Sequence, residues 1–168
     1  MKKIGIFYSY SSTKTAKISE KIMDAFDSDD IESIDAENVT SDDFSKYDNI
    51  IAGVPTWFDG ELPIYWDEFV PAIEEMDLTG KKVAIYGLGD QKGYPENFND
   101  GVGLFSQLVS SRGATVVGCT STEGYEFEGS KALKDNQFTG LCLDQENQAR
   151  LSQQRISNWV TQLKSEFD

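Results

Sequence analysis

The chain has 168 residues, enough for one domain with a sizeable core and too few to expect two. Its apolar fraction of 39% and charged fraction of 26% are ordinary for a folded protein; no apolar run approaches the length of a bilayer span, and the opening KKIGIFYSYS carries no cleavage-site pattern, so neither membrane insertion nor export is expected and a cytoplasmic location is the default. Fifteen Lys and Arg against 29 Asp and Glu give a net charge of −14, which argues against nucleic acid as a partner, and the absence of His removes Ser-His-Asp and Cys-His catalysis together with the commonest zinc and iron ligand.

In chain order, an apolar strand is expected over 3–9. It runs into SYSSTKT (9–15), nearly all hydroxyl-bearing, and then into a helical pattern over 14–26. A strand over 31–35 is followed by another over 49–54, NIIAGV, which leads into PTWFDGELP and a helix over 64–76. KVAIYGL (82–88) is the next strand, followed by GLGDQKGYPENFND and a helix over 100–112 that Gly113 stops. Strands over 115–119 and, in a further short piece, 141–143 precede a last helix over 147–167. Residues 122–140 break this alternation and read as an inserted excursion. Runs such as NIIAGV are apolar throughout rather than alternating, as strands buried on both faces are. The fold class is therefore α/β, one domain over 1–168 with a doubly wound parallel sheet between two helical layers. In such a fold, ligands bind where the loops at the carboxyl ends of the strands meet.

Between Asp24 and Gly80 there are seventeen carboxylates and one cation, Lys46. That segment is either a well-solvated surface or an electrostatic docking face for basic partners. Cys119 and Cys142 form no C-x-x-C pair and read as buried, reduced thiols.

Three loops carry the chemistry. SYSSTKT lies at a helix start, where free amides and the helix dipole favour an anion, and Ser9, Ser11, Ser12, Thr13 and Thr15 add hydroxyl donors. It matches neither the Walker nor the G-x-G-x-x-G pattern, so triphosphates and dinucleotides are poor ligands and a single phosphate monoester fits better. Simple capping of the helix by Ser12 or Thr13 accounts for the hydroxyls equally well. The other two loops bring aromatics, Trp57 and Phe58 in one and Tyr94 and Phe98 in the other. Opposed across one crevice, such faces suit a planar ring. A phosphate at one end and a planar ring at the other describe flavin mononucleotide (FMN).

Taken together, KIGIFY, PTW, GDQKGYPENFND, STEGYEFEGSKAL, GLCLDQENQ and ISNWVTQLKSEF resemble the flavodoxins, specifically the long-chain type of cyanobacteria, algae and other bacteria, over essentially the whole chain. The resemblance implies a five-stranded parallel sheet in the order 2-1-3-4-5, with the fifth strand interrupted by the excursion. It implies a low-potential one-electron carrier, not an enzyme, that holds FMN non-covalently. The phosphate would sit in Ser9–Thr15, including Tyr10 and Lys14. The ring would lie between Trp57 and Tyr94, with Pro55, Thr56, Phe58, Asp59, Gly60, Leu88, Gly89, Asp90, Asn97, Phe98 and Asn99 near the ring or the ribityl chain. Partners implied are basic redox proteins such as ferredoxin-NADP reductase, photosystem I or other ferredoxin-dependent enzymes, met by a monomer. Two alternatives share the fold: an FMN-dependent NAD(P)H:quinone reductase, and a docking module with impaired FMN binding.

The sequence departs from the family at two places. The phosphate loop normally reads [ST]-x-T-G-x-T, and here Tyr10 and Thr13 replace the hydroxyl residue and the glycine. If the glycine position needs positive φ, Thr13 is strained by roughly 1 kcal/mol or more. Phe58 stands where a small or amide residue is common. In the family, the peptide after this position turns to hydrogen-bond the half-reduced flavin, so a bulky Phe58 is expected to disfavour that state.

Overall fold

The computed structural model describes residues 2–168. Its centre is a parallel sheet in the order β2-β1-β3-β4-β5, formed by β1 (Ile4–Tyr8), β2 (Ile31–Asp35), β3 (Asn49–Gly53), β4 (Lys82–Leu88) and β5 (Thr115–Val117). Every residue of β1 and β3 is buried; the two runs are apolar except for Asn49, whose side chain donates to the Lys2 carbonyl and accepts from the Asp168 amide. Side chains nevertheless alternate between two cores. Ile4, Ile6 and Tyr8 face α1 (Thr13–Phe26) and α5 (Ala149–Glu166), whereas Phe7 faces α2 (Ser41–Ser45), α3 (Ile64–Glu74) and α4 (Asp100–Ser111). On α1 the buried residues Thr15, Ile18, Ser19, Ile22 and Phe26 recur at helical spacing, and on α5 Ser152, Ile156, Trp159, Val160 and Leu163 do the same.

The fifth strand is split. β5 pairs with the first half of β4, Lys82 opposite Thr115, and stops at Val117 instead of continuing to residue 119. Gly118 takes φ 78, and a Cβ there would lie 2.6 Å from Trp159 Nε1, which donates to the Gly118 carbonyl. The chain leaves the sheet at this turn. It forms a small antiparallel sheet from β6 (Thr120–Ser121), β7 (Leu133–Lys134) and β8 (Gln137–Phe138), and returns as β9 (Leu141–Leu143) beside the second half of β4, Leu88 opposite Leu143. The excursion expected over 122–140 thus interrupts the strand at the sheet edge.

α2 was not anticipated. It is a five-residue helix closed by a capping box in which Thr40 and Asp43 satisfy each other's backbone amides. α5 begins two residues later than its periodicity suggests, because the Asp144 carboxylate accepts the amides of Glu146 and Asn147 at 3.1 and 2.9 Å and holds them outside the helix. The parallel register then brings the carboxyl ends of β1, β3, β4 and β9 to one rim of the sheet.

Candidate functional site

A crevice of about 460 Å³ opens at that rim. Its first wall is the β1–α1 turn. Ser12 occupies the N-cap position of α1 (φ −85, ψ 95), yet no side chain caps the helix and no acidic residue stands in its first turn. The amides of Thr13, Lys14 and Thr15 have no acceptor among the described residues. Simple capping by Ser12 or Thr13 therefore does not account for the hydroxyls. Ser12 Oγ instead bonds Thr15 Oγ1 at 3.1 Å, and Ser12, Lys14 and Thr15 all line the crevice. Ser9 is buried with its hydroxyl 3.2 Å from that of Ser11, which donates to Glu37 at 2.8 Å.

The two departures in this loop resolve differently from expectation. Thr13 is the first residue of α1 and is not among the residues of positive φ, so the strain expected of it is absent. Tyr10 turns its ring away from the crevice, against Tyr8 at 5.0 Å, with its hydroxyl 2.9 Å from Ser33 Oγ; its own amide donates to Asp35. The bulk of Tyr10 is thus spent on the edge of β2.

The second wall follows β3 with Pro55, Thr56, Trp57 and Phe58. Trp57 and Glu61 exchange both main-chain hydrogen bonds at 2.8 Å, which closes a hairpin around Phe58, Asp59 and Gly60. The indole of Trp57 is fixed by perpendicular contacts to Phe58 at 6.3 Å and Tyr65 at 5.9 Å. Burial pushes the Tyr65 phenol well above its ordinary pKa, so it stays protonated. Strain is present here after all, at Phe58, which takes φ 50 and is 69% exposed. Asp59 points outward, and Gly60 lies behind the hairpin against Asp100 and Asn97.

The third wall follows β4 with Leu88, Gly89, Asp90, Tyr94 and Asn97. The Asp90 carboxylate accepts the amides of Gly93 and Lys92 and the side-chain amide of Asn147, and these bonds, Gly93 foremost, hold it below the usual carboxylate range. Tyr94 is 54% exposed at the mouth. Phe98 and Asn99, expected near the ring or the ribityl chain, do not line the crevice and lie directly behind Gly89. Phe98 is fully buried, stacked on Phe127 at 5.3 Å and packed against Phe138 and Tyr125. Asn99 is fully buried at the N-cap of α4 with φ 52; it donates to the Leu143 carbonyl, and its Oδ1 has no partner.

A fourth wall was not anticipated. Gln145 and Glu146 follow β9 and close the crevice, with Glu146 paired to Lys14 across its mouth. Asp144, buried behind them, accepts from Gln91 and Asn147 as well as from its own loop. Burial raises its pKa, but these hydrogen bonds outweigh it and the net shift is downward. The stretch GLCLDQENQ (140–148) that covers this wall carries the family resemblance, but none of its residues was assigned to the site.

A profile described as Flavodoxin matches residues 6–159. The chain belongs to the flavodoxin family. The flavodoxin of Trichodesmium erythraeum is 46% identical over 171 residues, with 99% of each chain covered, and that of Nostoc sp. (strain PCC 7120) is 43% identical over 166 residues, covering 99% of this chain and 98% of the relative. Among solved structures, the Fusobacterium nucleatum flavodoxin bound to flavin mononucleotide superposes with a TM-score of 0.95 at 36% identity, each chain covered completely. This flavodoxin has the sheet order that the resemblance implies, with a split fifth strand. Its uncapped α1 amides and hydroxyls suit a phosphate monoester, and the aromatic residues Trp57 and Tyr94 on the adjoining walls suit a planar ring, so the residues present fit FMN.

Proposed function

We propose that this flavodoxin is a one-electron carrier that holds FMN non-covalently, with the phosphate at the start of α1 and the ring between Trp57 and Tyr94. The observation that carries the reading is the uncapped α1 start, with its free amides and two hydroxyls, opening into a crevice walled by aromatic side chains. The bound flavin supplies reversible one-electron chemistry.

The chain's own residues bind, orient and tune. The Thr15 hydroxyl, the Ser12 hydroxyl once turned from Thr15, and the α1 amides would donate to a dianionic phosphate, which the helix dipole would also favour, with Lys14 as the one cation on the crevice wall among the described residues. Trp57, fixed edge-on by Phe58 and Tyr65, offers a rigid face that excludes water from one side of a planar ring. Asp90 and Glu146 keep negative charge on the rim, which disfavours further negative charge in the crevice and lowers the potential at which an electron is accepted.

The partners of this reading are basic redox proteins, ferredoxin-NADP reductase and photosystem I among them, drawn to the acidic 24–80 segment. The carrier acts as a monomer in the cytoplasm. No helix among the described residues is long and apolar enough to cross a membrane. The test is a titration of the apo-protein with FMN and, separately, riboflavin, read by quenching of flavin fluorescence. FMN is expected to bind tightly and riboflavin far more weakly. Equal binding of both, or binding of neither, overturns the reading.

A further inference from the structure

The chain contains two Asp-Gly dipeptides, Asp59-Gly60 and Asp100-Gly101, and the fold treats them in opposite ways. Such a dipeptide is where a main-chain nitrogen most readily attacks the preceding side chain, because glycine has no Cβ to crowd the approach. We propose that Asp59 is a site of spontaneous isoaspartate formation in the folded protein, and hence a substrate for an S-adenosylmethionine-dependent methyltransferase that recognises isoaspartyl peptides.

Asp59 sits at the tip of the hairpin closed by Trp57 and Glu61. It is exposed, and among the described residues its carboxylate has neither a hydrogen-bond nor an ion-pair partner, while the Gly60 amide has no acceptor. Nucleophile and electrophile are both uncommitted, one residue apart in a loop. Asp100 is the internal comparison. It is 1% exposed, its Oδ1 accepts from the Lys131 amide at 2.8 Å and its Oδ2 from Asn97 Nδ2 at 2.9 Å. The Gly101 amide donates to Thr56 Oγ1 at 2.9 Å, and both residues are held in helical conformation within α4. Cyclisation at Asp100 would have to break all three bonds and the first turn of α4. At Asp59 it breaks none.

The step is redox-neutral. The Gly60 nitrogen bonds to Cγ of Asp59, the carboxyl group loses a hydroxyl and the amide its proton, and one water departs to leave a five-membered succinimide. Water then reopens the ring. Attack at the side-chain carbonyl restores aspartate, and attack at the main-chain carbonyl leaves the chain running through Cβ, longer by one methylene. Inward of Gly60 the hairpin has no spare room. A Cβ on Gly60 would already lie 2.5 Å from Asp100 Oδ2 and 2.8 Å from Asn97 Nδ2. The longer backbone must bulge outward and carry the Phe58 side of the crevice wall with it.

The full-length protein is aged at neutral pH and physiological temperature. Isoaspartate is then counted by methyl transfer from labelled S-adenosylmethionine with an isoaspartyl methyltransferase and located by electron-transfer fragmentation. Label is expected to accumulate with time at Asp59 and to exceed that at Asp100 by at least about tenfold, since even one hydrogen bond discriminates by that order. In urea the two sites are expected to label alike, and Asp59→Glu, whose six-membered ring closes slowly, is expected to abolish the folded-state signal. Equal labelling of the two sites in the folded protein, or a signal at Asp59 that appears only in urea, would overturn the proposal.

Discussion

Replacing Asp144 by Asn keeps size and shape and removes two things, the negative charge and the ability to accept hydrogen bonds at both oxygens. The wild-type carboxylate is fully buried and accepts five bonds, from Gln91 N and Nε2, Glu146 N, Asn147 N and Asn147 Nδ2, at 2.8 to 3.1 Å. The two loop amides meet Oδ1 and the other three donors meet Oδ2. Whichever way an Asn amide is placed, its NH2 group faces at least two donors and leaves them unsatisfied. A bond to a charged acceptor contributes roughly 1.5 kcal/mol or more, so the loss is about 3 kcal/mol, reduced somewhat because a buried charge is also removed. Urea unfolding at neutral pH is expected to show a fall of about 2–3 kcal/mol with m unchanged. The difference is also pH-dependent. The folded-state pKa of Asp144 is depressed below the ordinary 3.8, so its contribution is fully present above that value and is lost as pH falls through the folded-state value. Wild type and D144N are therefore expected to converge in acid. A loss under about 1 kcal/mol at neutral pH, or a gap that persists in acid, would refute the reasoning.

Three further outcomes follow from the same geometry. Thr15→Val removes a crevice hydroxyl while keeping shape, and is expected to weaken FMN between roughly 10- and 150-fold in a fluorescence titration while leaving riboflavin unchanged. At Phe58, φ 50 suits Asn and strains a β-branched residue, so thermal unfolding of F58N and F58V, which both lose the same aromatic contact, is expected to differ by about 1 kcal/mol in favour of Asn. A carbon-detected NMR titration is expected to place the Glu32 carboxyl at about 2, held down first by Lys3 and then by the Tyr47 hydroxyl; Tyr47→Phe should move it up towards the ordinary 4.5, and an unmoved midpoint would count against that pairing.

Much of the fold was legible because it rests on local patterns. Strands buried on both faces read as unbroken apolar runs, and helices with one buried stripe read at their period. Some misreadings turn on distant contacts and others on local chemistry that periodicity does not register. Phe98 looked like a crevice aromatic because its stacking partner Phe127 and its neighbour Phe138 lie far along the chain, where periodicity carries no information. Thr13 seemed to need positive φ only because glycine is usual there, whereas in this chain the helix simply begins at that residue. Tyr10 could be placed only once β2 supplied Ser33 beside it. The short α2 was hidden because Thr40 and Asp43 are ordinary loop residues until they cap each other.

The fourth wall shows why the excursion matters to a site it does not line. Gln145 and Glu146 reach the crevice because β9 lies against the second half of β4, and β9 is held there from outside the sheet. The Tyr125 hydroxyl donates to the Cys142 carbonyl at 2.6 Å, with the Arg155 guanidinium stacked 4.1 Å over the same ring. The third wall is tied to the same segment. The Glu126 amide donates to Gln91 Oε1, the Phe98 amide to the Gly129 carbonyl, and the Lys131 amide to Asp100. Gln91 in turn donates to Asp144. One continuous set of bonds therefore runs from the excursion through Gln91 and Asp144 into the loops on two sides of the crevice. Shortening the excursion would expose Phe98 and release both loops together, so its removal is a perturbation of the binding site even though the crevice lining would keep every one of its residues.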